Sequence, residues 1–191
     1  MKMRETMRII AFLTICLFAT LLNAQSVSKW TPADIITKAV PGQWVEIEGK
    51  VQEDLSVQAV EIKFLTGDFM DDDWELRAKV QTVNAATDEF QVLSVPVRVS
   101  KHTEFDNGIK SVAEVTPGML VKLEGSYLND GVFLAKEVED KTHRLKTKPQ
   151  LETKIEAVGK VGQVDETKRI ITVMGIQFQI TEQTDGKSPI R

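Results

Sequence analysis

The densest group of side chains able to hold charge is Asp68-Phe69-Met70-Asp71-Asp72-Asp73. Carboxylate oxygens crowded this closely suit a hard cation such as calcium. An EF-type loop, however, alternates its ligands with other residues and adds a glycine and a distant glutamate, none of which is present; a solvated acidic loop is the simpler expectation. The corresponding stretch in the second half of the chain, Lys141-Thr142-His143-Arg144-Leu145-Lys146-Thr147-Lys148-Pro149, is basic. Opposite charge at matching places suggests that the acidic loop of one repeat faces the basic loop of another, within the chain or between chains, but two independent solvated linkers are the favoured expectation, because exposed ion pairs contribute little. Trp30 stands apart from any periodic segment and suits either an exposed aromatic contact or a lid, the lid being favoured. Asp68, Asp71, Asp72, Asp73 and Trp30 are therefore the candidate ligand-binding residues.

No catalytic residue is assigned. His102 and His143 are the only histidines, and neither recurs at a position shared by the two halves, whereas acid-base catalysis needs a positioned partner. Glu46 and Glu48 form a carboxylate pair on one strand face, but the aligned residues in the second half are Lys122 and Glu124. A copper site of methionine, histidine and tryptophan would draw on Met70, Met119 and Met174, which are scattered between core-like and loop positions. Neither a cofactor nor a metal site is expected.

The chain opens with a basic head, Met1-Lys2-Met3-Arg4-Glu5-Thr6-Met7-Arg8, followed by an apolar run from Ile9 to Leu22 and a small residue at Ala24. This is the pattern of a bacterial-type secretory signal peptide over residues 1–24; the run is too short to span a bilayer as a helix. Cys16, the single cysteine, lies inside it, so the mature protein has no thiol and stability must come from packing. The leader carries three basic residues and one acid, so its removal takes the formal charge from −4 to −6. An acidic, exported chain is poorly suited to neutralising phosphates, and nucleic acid is not an expected partner.

The mature chain is organised by an internal repeat. Pro41-Gly42-Gln43-Trp44-Val45-Glu46-Ile47-Glu48-Gly49 aligns without a gap on Pro117-Gly118-Met119-Leu120-Val121-Lys122-Leu123-Glu124-Gly125, 76 residues on. Lys79-Val80-Gln81-Thr82-Val83-Asn84 aligns on Lys160-Val161-Gly162-Gln163-Val164-Asp165, 81 residues on, and that match extends to Thr103 with Thr184. Apolar and polar side chains alternate within each run, the rhythm of half-buried strands. Five strands are expected in the first unit: Trp44 to Val51, Val57 to Phe64, Trp74 to Val83, Phe90 to Leu93, and Val95 to Val99. A short helix capped by Thr31 should precede them, with a shorter counterpart over Ser111 to Val115. Gly49 and Gly125 sit inside strands, where a sharp bend or close backbone approach is the reason to keep glycine.

A five-stranded sheet removes its edges by closing on itself. The expected fold is all-β: two tandem small five-stranded OB-like β-barrel repeats with short connecting helices, the first over residues 25–105 and the second over 106–191. The pattern from Trp74 through Asp140, with Thr103-Glu104-Phe105, Val115-Thr116-Pro117-Gly118, Val121-Lys122-Leu123-Glu124-Gly125 and Asp130-Gly131-Val132-Phe133-Leu134-Ala135, resembles the bacterial exported family known as domain of unknown function 5666. In that family's frame one full unit lies in the middle, flanked by half units from Ala33 to Lys63 and from Ile155 to Thr184. The resemblance implies the fold and the compartment and carries no activity. The expected function is a non-catalytic periplasmic or secreted binding or interaction module for an envelope protein, a glycan or a cationic small ligand, without stable membrane insertion once the leader is removed. A structural envelope protein is the alternative, and a calcium- or copper-binding protein the next.

Overall fold

The computed structural model describes residues 30–187; the expected leader lies outside the described residues. One α-helix, α1 (Pro32–Lys38), precedes twelve strands: β1 (Trp44–Val51), β2 (Val57–Phe64), β3 (Trp74–Asn84), β4 (Glu89–Val92), β5 (Val95–Arg98), β6 (Glu104–Asp106), β7 (Leu120–Tyr127), β8 (Phe133–Asp140), β9 (Lys154–Asp165), β10 (Ile170–Val173), β11 (Ile176–Gln179) and β12 (Asp185–Lys187). The fold is predominantly β, and all twelve strands belong to a single large mixed sheet. Among the described residues no helix is long and apolar enough to cross a membrane.

Local sequence explains the elements. Thr31 caps α1 through a reciprocal capping box with Asp34, satisfying backbone donors that the first turn leaves free. The helix buries Ile35 and Ile36. In β1 and β7 alternate residues are buried, including Val45 and Ile47 in one and Val121 and Leu123 in the other. The expected counterpart of α1 forms only a 3-10 turn at Val112–Glu114, where Ser111 makes no side-chain cap. Two short strands, β6 and β12, were not expected, because three residues are too few to show an alternation.

The pairings form two circuits. β3 pairs with β4, β4 with β5, β5 with β8 in parallel, β8 with β7, and β7 returns to β3. Likewise β9 pairs with β10, β10 with β11, β11 with β2 in parallel, β2 with β1, and β1 returns to β9. β6 adds to β8 and β12 to β2, both in parallel. The expected units, 25–105 and 106–191, are each contiguous, whereas the pairing joins residues 74–140 in one circuit and residues 44–64 with 154–187 in the other. The reason is that β3 and β9 carry the same repeat. The alternation of β1 is satisfied by either, and periodicity alone does not choose between them.

Equivalent details recur in the two circuits. The ladder shifts register at Glu48/Gly49 in β1 and at Glu124/Gly125 in β7, leaving Val60 of β2 and Lys136 of β8 as the extra residues of the two bulges, and the paired strand comes close to each glycine. Thr184 donates its hydroxyl to the Ala59 carbonyl at 2.9 Å, and Thr103 does the same to Ala135 at 2.6 Å. The circuits are joined where β3 pairs antiparallel with β9, Glu75 opposite Val158, Leu76 opposite Ala157 and Arg77 opposite Glu156. Since Leu76 and Ala157 are repeat equivalents, an approximate two-fold axis runs through that pair. The buried apolar side chains of both circuits form one cluster.

Candidate functional site

The aromatic side chains gather beside this joint. Trp44 and Trp74, 8% and 7% exposed, have ring centroids 5.1 Å apart; Phe69 stacks on Trp44 at 4.8 Å, and Tyr127 lies 5.5 Å from Trp74. Gly159 makes the room, because a Cβ there would come within 2.4 Å of the Trp74 ring. Both tryptophans are thus core residues, as their alignment with Leu120 and Ile155 implies. Hollows open on either side of Trp74. One, of about 600 Å³, is lined by Asp71, Tyr127, Asn129 and Lys160; the other, of about 370 Å³, by Asp72, Asp73, Glu124 and Lys136.

The acidic loop divides between these hollows. Asp71 pairs with Lys160 at 3.2 Å and Asp72 with Lys136 at 3.0 Å, while Asp73 accepts the Met70 backbone N–H at 2.7 Å. Asp68 is exposed. The four carboxylates do not converge, and among the described residues no group of three or more His, Cys, Asp or Glu side chains is placed to hold a metal ion. Nor does this loop face Lys141 to Lys148 within the chain. Its cationic partners are strand lysines, Lys160 of β9 for Asp71 and Lys136 of β8 for Asp72. The basic segment instead folds into 3-10 turns at Thr142–Lys146 and Pro149–Glu152. There Glu152 pairs with Lys79 at 3.0 Å, the repeat equivalent of the Asp71–Lys160 pair. Trp30 is half-buried against Phe64, 5.5 Å between centroids, with the Lys38 ammonium 4.7 Å over its ring.

A larger groove, of about 630 Å³, lies where the β4–β5 and β10–β11 hairpins approach the β1–β2 turn. Its apolar wall is Leu55, Leu93, Ile170 and Ile176; its polar groups are Gln81, Gln91, Gln177, Gln179, Ser56, Ser94 and Asp54. Leu55 is 60% exposed. The tight hairpin holds Leu93 at φ 52°, and its equivalent Met174 is at φ 50°. Asp54 is the only ionisable lining residue. Hydrogen bonds from the Ser56 hydroxyl and backbone N–H, at 2.6 and 3.0 Å, hold its carboxyl below the usual aspartate range. None of these residues was a sequence candidate. Each glutamine occupies the outward phase of a strand, where a polar residue signals nothing beyond solvent.

A family described as Domain of unknown function (DUF5666) matches residues 24–63 and 77–139, more than half of the chain. The chain belongs to this family. No curated protein and no solved structure matches it. The second DUF5666 segment coincides with the contiguous circuit, and the first ends within β2, so the family frame and the hydrogen bonding divide the chain at nearly the same places. Within that frame the two units differ in charge. Glu61 and Glu137 are equivalent, as are Lys63 and Glu139, and Lys187 and Asp106. Burial would raise the Glu61 carboxyl, but hydrogen bonds from Lys187 and Lys63 outweigh it and hold it below the ordinary glutamate value. Glu137 is pushed up, first by burial and then by Glu124 and Glu139. The favourable contribution of Glu61 is present above the ordinary glutamate pKa and is lost as the pH falls through its depressed folded value. Ionised Glu137 costs stability at neutral pH, and the cost disappears as the pH falls through its raised folded value. Glu137→Gln should therefore melt above the parent protein at pH 7 and Glu61→Gln below it, with both differences vanishing in acid. Thermal melts across that pH range check the signs.

Proposed function

We propose that this protein is an exported, non-catalytic binding module built from two OB-like barrels, and that the groove between them holds a neutral, hydroxyl-rich ligand of the glycan class. In favour of the barrels is the order of pairing. Each unit runs first strand to second, second to third, third in parallel to fifth, fifth to fourth and fourth back to first, and ligands of such folds commonly lie against the second and third strands and the turn between the fourth and fifth. In the split unit these elements are β10, β11 and the β1–β2 turn, which line the groove. The carrying observation is the chemistry of that lining: side-chain amides and hydroxyls that donate and accept hydrogen bonds, with one carboxylate already engaged by Ser56. Such groups select by hydrogen bonding and do not move protons. A cationic ligand is less well served, since Lys160 and Lys38 already lie over the Trp44 and Trp30 rings.

The test is a thermal-shift titration of the leader-free protein with chitotriose and maltotriose alongside spermidine and calcium. A ligand bound only by the folded state at a hundred times its Kd stabilises by about 2.7 kcal/mol. A saccharide should raise the melting temperature, and Gln91→Ala with Gln177→Ala should abolish the rise. Stabilisation by spermidine alone would move the reading to a cationic ligand. Response to none of the four would favour the structural envelope role.

A further inference from the structure

Residues 74–140 close one circuit by themselves, but the other needs two segments that meet only through tertiary contact: residues 30–64, bearing α1, β1 and β2, and residues 154–187, bearing β9 to β12. A hairpin such as β1–β2 is marginal by itself. It gains its place from seven residue pairs along β9, two along β11 and three along β12, and from α1, whose Ile35 lies against Gly186. Each of these contacts is non-covalent. Among the described residues the one covalent tie is the linker of residues 65–73, most of which is exposed, its contacts being the Phe69 ring on Trp44 and the Asp71 and Asp72 pairs with Lys160 and Lys136.

We propose that residues 30–64 are an exchangeable donor segment and that their alternative partner is a second copy of this chain. β1–β2 of one copy then completes β9 to β12 of another. Every ladder bond and buried side chain of the closed unit is reproduced in the exchanged form, so the balance depends on the local concentration that the linker confers against the concentration of free copies. Reciprocal exchange gives a closed dimer, and one-way exchange gives an open head-to-tail chain. The repeat supports the inference independently of any ligand. β3 offers β7 the register that β9 offers β1, Trp74 lying opposite Gly125 as Ile155 lies opposite Gly49, so the acceptor edge that β1 needs is one this fold presents in the same form twice.

Glu48 and Glu156 are opposed across β1 and β9 on the outer face, and the only cysteine of the sequence, Cys16, precedes the expected cleavage site. Leader-free Glu48→Cys and Glu156→Cys chains, unfolded together and refolded in oxidising buffer, should give a disulfide-linked heterodimer several-fold above the Glu48→Cys homodimer. The excess should rise with protein concentration and be lost when the chains are mixed after folding. The double variant, closing its disulfide within one chain, shows that the geometry is competent. A heterodimer no more abundant than the homodimer overturns the proposal. So does a cysteine-free chain that remains monomeric by light scattering after refolding at every concentration.

Discussion

Gly125→Ala should lower the unfolding free energy by about 3 kcal/mol, at the upper end of ordinary overpacking, while Gly49→Ala at the equivalent bulge costs about 1 kcal/mol. The difference lies in what the new methyl group meets. At Gly125 the nearest atoms are the Leu134 carbonyl oxygen at 2.2 Å, the Lys136 nitrogen at 2.9 Å and the Ala135 Cα at 3.1 Å, all backbone of the paired strand β8. Relief there means displacing the ladder. At Gly49 the nearest atom is a methyl of the buried Val57 at 2.5 Å, a side chain and not ladder backbone, and the next contacts, Ile155 at 3.1 Å and the Gln58 carbonyl at 3.2 Å, ask only for small shifts. Urea denaturation with linear extrapolation measures both. Equal costs would mean that the two bulges are not the distinct environments described.

Phe178→Ala should cost about 3–5 kcal/mol, the range for a buried aromatic ring replaced by a cavity. Phe178 is fully buried, and in β11 it stands opposite Val57 of β2. The cavity therefore opens at the contact between the two chain segments that make the split unit. Gln177→Ala, one residue away and exposed, should change stability by less than about 0.5 kcal/mol. Unfolding of the Phe178→Ala protein should remain a single transition, because the β3–β9 ladder and one continuous apolar cluster tie the circuits together. Calorimetry showing two separate transitions, or a loss under about 1 kcal/mol, would contradict that coupling.

The strands were legible residue by residue because each carries an alternation that needs no partner to be recognised. Trp44 to Val51 and Val57 to Phe64 have the expected limits, Thr31 caps its helix, and Gly49 and Gly125 sit where the paired strand comes close. Partner choice was not legible. The sequence of β1 is as compatible with β3 as with β9, and what separates them is a competition in three dimensions that β7 wins for β3. At the candidate site the acidic run was visible as composition, yet the direction of each carboxylate depends on Lys136 and Lys160, lysines 64 and 89 residues away. The groove was invisible for a related reason. Four glutamines spread over β3, β4 and β11 become one surface only after two hairpins meet.

Completing one unit from opposite ends of the polypeptide also sets a schedule. On the ribosome the segment ending at Phe64 is made before Lys154, and at about 5–20 residues per second the interval lasts roughly 5–20 s. For that time the greasy side of Trp44, Ile47, Ile62 and Phe64 has no β9 to cover it, while the unit made in between gains its last strand before Lys154 is reached. A hairpin that waits for its partner strands exposes an apolar face and an unpaired edge, the condition under which chains associate.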